Sequence, residues 1–146
     1  LQNRLPIKEL AVATLYTMGV LLPAWPGSWG QLMPVAGLIA QLFLIALTNL
    51  ILFAWFEAEE DNKMGQASLA TRRGKNAIGK FLIVLLGLGI SFSLTQALLV
   101  NSTSWILFFM WIGLIALFYF KTYFGQHERY RVWGDAIFYL PIISLL

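Results

Sequence analysis

The chain has 146 residues, 59% hydrophobic and only 12% charged, with a net charge of +3. A soluble domain of this size could not hide so much apolar side chain, so the composition predicts an integral membrane protein. With no cysteine, a disulfide framework, haem attachment and a thiolate metal site are excluded.

Five apolar segments follow in chain order. The first covers about 9–25, "ELAVATLYTMGVLLPAW", and runs into a Pro/Gly turn, "PAWPGSWGQ". The second covers about 32–56 and carries Gln41 and Asn49 within its apolar run. It ends in a burst of acids, "NLILFAWFEAEEDNKMG", with Glu57, Glu59, Glu60 and Asp61 in five positions. The third covers about 77–100 and the fourth about 104–120, separated by the polar turn "NSTS", whose Ser or Thr suits a helix cap. The fifth starts near Asp135 and reaches Leu146. A span needs about 20 residues, so the fifth is too short to cross as it stands. The sequence thus predicts an all-α membrane protein, a multi-span bundle of four full transmembrane helices and a truncated fifth. It begins at Leu1 and stops inside the apolar run "FYLPIISLL", which predicts a piece of a longer protein.

Charge placement gives an orientation. If each segment crosses, the N-terminus and the 57–76 and 121–135 loops share one side. Every Lys and Arg lies there or within a turn of it: Arg4, Lys8, Lys63, Arg72, Arg73, Lys75, Lys80, Lys121, Arg129 and Arg131. The opposite turns carry no charge, and Trp25, Trp29 and Trp105 gather near them as an interfacial belt would. The positive-inside rule then predicts that 57–76 and 121–135 are cytoplasmic. The basic excess is a topology signal and does not point to nucleic acid.

Four-residue spacing puts Asn49, Phe53, Glu57 and Asp61 on one helical face. Acids at a helix C-terminus oppose the macrodipole by about 0.3–1 kcal/mol each, so something positive should offset them. Lys63, Arg72, Arg73 and Lys75 are near in sequence, and a bound cation is the alternative. Oxygen ligands without His or Cys suit Mg²⁺. A solvated cytoplasmic loop of mixed charge accounts for the same residues equally simply.

The stretch "NLILFAWFEAEEDNKMGQASLATRRGKNA" resembles the second acidic motif of the UbiA-type intramembrane prenyltransferases. Glu57, Glu59 and Asp61 match its acidic positions, and Lys63 lies near its basic one. Gly65 and Gly74 match its glycines, and Ser68-Leu69 stand where Thr-Leu is usual. "RYRVWGDAIFYLP" is similar to the beginning of a late helix of that fold. Glu57 replaces a more usual Asp, Phe53 an Asn or Asp, and the family's first Asp-rich motif is not in this sequence. The resemblance implies a single membrane domain, 1–146, forming the C-terminal part of a larger bundle and supplying one of two acidic jaws.

What it further implies is Mg²⁺-dependent transfer of an isoprenoid from its diphosphate to an aromatic or related acceptor in the membrane. Glu57, Glu59 and Asp61 would hold metal, and Lys63, Arg72 and Arg73 the diphosphate. Asn49 and Asp135 are candidate pocket residues. The competing reading is a non-catalytic integral membrane subunit or structural protein.

Plainer expectations cover the other polar groups. His127 reads as a solvated loop residue, and Asp135 as the i,i+4 partner of Arg131 or a first-turn acid. Gln41, Asn49 and Gln96 read as interhelical hydrogen-bonding groups, and Gly87 and Gly89 as sites of close helix approach. Tyr119, Tyr123 and Tyr130 read as interfacial anchors, with the lining of a prenyl or aromatic pocket as the alternative.

Overall fold

A computed structural model describes residues 7–23, 27–28, 30, 35–65, 70, 73–99 and 104–143, without the side chains of 142 and 143. Four main helices form: α1 (Ile7–Leu21), α2 (Ala36–Lys63), α3 (Lys75–Leu99) and α4 (Ser104–Tyr119). Shorter pieces follow: α5 (Lys121–Phe124), a 3₁₀ turn (Gln126–Glu128), α6 (Arg129–Ile137) and α7 (Leu140–Ile143). No strand occurs among the described residues.

The central helix is α2, which packs on α1, α3, α4 and α6. Side-chain pairs give the directions. Gln41, near the start of α2, bonds Gln96 near the end of α3, whereas Glu59 meets Lys75 at the start of α3. The two helices are therefore antiparallel. Trp111 reaches Gln41 and Phe118 lies against Trp55, so α4 runs parallel to α2. The C-terminus of α2, the N-terminus of α3 and the C-terminus of α4 thus share one end, which gathers Glu57, Glu59, Lys75 and Lys121.

Apolar side chains fill the space between helices: Ile45, Ile51 and Leu52 from α2, Ile78 and Leu82 from α3, Met110, Trp111 and Leu114 from α4. Gln41 is fully buried among them. Its amide donates to Gln96 at 2.7 Å and accepts from the Trp111 indole at 3.3 Å, so one side chain joins three helices. This is the interhelical role expected of Gln41 and Gln96. Gly89 lets the Trp111 ring lie against α3, while Gly87 faces open space and serves no close approach.

Two helices, α2 and α3, are long and apolar enough to cross a membrane. At 28 residues, α2 is about 42 Å long, beyond the roughly 30 Å of a hydrocarbon core. Its surplus turns carry the acids, so Glu57 to Lys63 continue the helix and are not loop. Gly65, in the left-handed region at φ 66°, closes it. The outer face of α3 leaves Phe81, Val84, Leu88 and Leu98 exposed, an apolar surface of the kind that meets lipid or another protein face. With 15 and 16 residues, α1 and α4 are shorter than a full span.

The fifth segment differs most from expectation. Its helix begins at Arg129, not Asp135, and is interrupted after Ile137. Phe138 and Tyr139 turn back on the carbonyls of Asp135 and Ala136, and Pro141 has no N–H to continue the ladder. The predicted 121–135 loop is therefore largely helical. Tyr130, Gly134 and Ile137 are its buried stripe, laid against α2 and α4.

Candidate functional site

The charged end is assembled by α6 folding back along α2. His127 and Glu128 both adopt φ 54°, a left-handed conformation that costs non-glycine residues roughly 1–2 kcal/mol each. This pair reverses the chain and sets α6 antiparallel to α2. Docking depends on Gly134: a Cβ there would run into the Phe53 ring and come within 2.8 Å of Asn49 Oδ1.

One turn earlier, α6 presents two side chains to Glu57. Arg131 donates from Nη2 at 2.8 Å and from Nε at 3.1 Å, and the Tyr130 hydroxyl donates at 3.2 Å, all to Oε1. The other terminal nitrogen of Arg131 pairs with Glu128 Oε2 at 3.0 Å. Tyr130 is buried, stacked on Phe56 at 4.5 Å and edge-on to Phe53 at 5.6 Å. Burial, and then the Glu57 charge, push its phenol up to about 12. Hydrogen bonding to Glu57 holds the Arg131 guanidinium above its ordinary value.

Glu59 lies on the other side of α2. Its carboxylate meets the Lys75 ammonium at 2.7 Å. The same ammonium sits 5.1 Å from the centre of the Trp55 ring, Lys121 approaches that ring at 5.7 Å, and the Trp55 indole donates to the Lys75 carbonyl at 3.1 Å. Trp55 therefore serves as a platform for two lysines, a role its sequence context did not signal.

The predicted site residues separate accordingly. Glu57 and Asp61 share a face of α2, with Asp61 half-buried one turn beyond Glu57. Glu59 does not join them. Among the described residues no three His, Cys, Asp or Glu groups are placed to hold a metal together. Lys63 and Arg73 are exposed, while Arg72, Ser68 and Leu69 lie outside the described residues. Asn49 is buried beneath Gly134, its Oδ1 without a hydrogen-bond partner. Asp135 is exposed and does not pair with Arg131, which is drawn instead to Glu57 and Glu128.

Sequence reasoning missed Arg131 as a partner of Glu57, and it read Tyr130 as an anchor or pocket residue without foreseeing its bond to Glu57. Tyr130 and Arg131 stand 73 and 74 positions from Glu57. The available signal was the Tyr130, Gly134, Ile137 spacing, an apolar stripe on a segment taken for loop. No family model matches this chain, and the comparisons with curated proteins and with solved structures give no match either.

Proposed function

We propose that this chain is the C-terminal part of a UbiA-like intramembrane prenyltransferase, with its charged end turned to the cytoplasm. The observation that supports this most is that Glu57 and Asp61 lie on one face of α2, at the end where the cations collect. Two carboxylates suit a Mg²⁺ ion that keeps waters and shares phosphate oxygens. Glu57, released by Arg131, and Asp61 would hold such an ion, and Glu59, on the opposite side of α2 with Lys75, stands apart from it. The ion would supply charge neutralisation to a diphosphate leaving group. Lys63, Arg72 and Arg73 would bind the diphosphate oxygens, and the buried aliphatic side chains would keep water from the prenyl chain. Asn49 supplies an acceptor inside the bundle, and Asp135 an acid at the α6 surface. The acceptor substrate is a membrane-associated aromatic or related molecule. In this reading α1 and α4 also cross, giving four spans.

The experiment is prenyl transfer by the full-length protein in membranes, followed with isotope-labelled prenyl diphosphate. Activity should need a divalent cation and fall at least a hundredfold in Asp61→Asn. Undiminished transfer by Asp61→Asn would sink the assignment.

A second reading, a non-catalytic membrane subunit, is favoured by the pairing of Glu57 with Arg131 and Glu59 with Lys75. Such pairs neutralise the acids without a ligand. Under that reading the full-length protein would show no cation-dependent binding of prenyl diphosphate.

A further inference from the structure

The α5–α6 elbow carries two cations, Lys121 and Arg129, that are set over aromatic rings. Lys75 and Arg131 are neutralised by carboxylates. Lys121 and Arg129 have no acid within ion-pair distance among the described residues. Each lies over an aromatic face instead, Lys121 near Trp55 and Arg129 4.7 Å from the Tyr123 ring centre. A guanidinium held over a ring keeps its N–H fork free for an anion, and phosphate matches that fork. The neighbouring surface is aromatic. Tyr123 meets Phe124 at 5.1 Å and Phe124 meets Trp133 at 6.2 Å, with Tyr123 and Trp133 more than half exposed. Unpaired cations beside exposed amphipathic rings match the boundary between lipid headgroups and acyl chains.

We propose that this elbow binds the phosphate of an anionic phospholipid through Lys121 and Arg129, with Tyr123, Phe124 and Trp133 against its glycerol and upper acyl region. The inference rests on the membrane reading and is independent of prenyl transfer. Charge complementarity chooses the occupant. A zwitterionic lipid would offset its phosphate with its own ammonium, whereas a net anion uses both side chains. Two basic residues near an anionic surface are worth roughly thirtyfold in affinity.

The test uses the full chain in neutral detergent, titrated with phosphatidylglycerol or phosphatidylcholine. Native mass spectrometry counts retained lipid, and the unfolding midpoint is followed in parallel. Phosphatidylglycerol should be retained at least tenfold better than phosphatidylcholine and should raise the midpoint. The preference should vanish in Lys121→Gln/Arg129→Gln, survive in the charge-conserving Lys121→Arg, and survive in Lys80→Gln. A cooperative unfolding transition in the neutral double variant guards against loss through misfolding. An unchanged preference in the neutral double variant overturns the proposal. So does an equal loss in Lys80→Gln, which would mean diffuse attraction, or an equal midpoint shift from inorganic phosphate, which would mean a free-anion site. A chain that stays soluble without detergent would overturn the membrane reading itself.

Discussion

Arg131 bridges Glu57 on α2 and Glu128 at the mouth of its own helix, and through them α6 is pinned to the acidic end of α2. Its guanidinium uses Nε and Nη2 on Glu57 and Nη1 on Glu128, so one side chain closes the elbow and docks it.

The strength of that tie is measurable. Arg131 is 49% exposed and Glu57 27%, so solvent screens the pair despite its two-nitrogen geometry. A double-mutant cycle of Glu57→Gln and Arg131→Gln should give a coupling of about 1 kcal/mol in detergent unfolding. Coupling indistinguishable from zero would mean that aromatic packing alone docks α6.

Tyr130 should titrate late. Its phenol is raised from 10.0 to about 12, chiefly by burial. The unfolded chain releases this proton first. The stabilisation is therefore fully present below pH 10.0 and is lost as pH rises towards 12. Ultraviolet difference spectra should show a late phenolate step that Tyr130→Phe removes. A late step that persists in that variant would assign it to another tyrosine.

Gly134 and Gly87 should respond oppositely to alanine. At Gly134 a Cβ meets Phe53 and Asn49, and overpacking of this kind costs about 1–3 kcal/mol. At Gly87 nothing lies within 4 Å, so the better helix former should be neutral or stabilise by up to about 1 kcal/mol. Paired unfolding midpoints check both. Equal effects would contradict the close α2–α6 crossing.

Gln41→Leu should destabilise the bundle by about 1–3 kcal/mol, because it leaves Gln96 and the Trp111 indole without their partner. Adding Gln96→Leu should cost less than the sum of the two single changes, since part of the loss is already taken. Unfolding in mixed micelles reads both. Strict additivity would show that the amides do not act as one network.

The sequence by itself determined the four main helices, but not the elbow that follows them, and the end at which their charge collects. Those features are local: long apolar runs need helices to satisfy their backbone, and acids placed after such a run fall at its end. It also made Gln41 and Gln96 legible as interhelical groups, because an amide inside an apolar run needs a partner. Only the tertiary structure decided how the acids are used. Glu57 and Glu59 lie about 200° apart around α2, and each takes the cation that its own side of the packing supplies. Arg131 could have met Asp135 one turn away; it meets Glu57 because the left-handed His127–Glu128 pair turns α6 back, and although His adopts that conformation more readily than most residues, nothing local announces it for Glu128. Gly87 and Gly89 look alike in sequence, yet Trp111 lies against Gly89 alone. Which side of a helix meets a neighbour is set by the docking of whole helices, and that is where the candidate site acquired Tyr130 and Arg131.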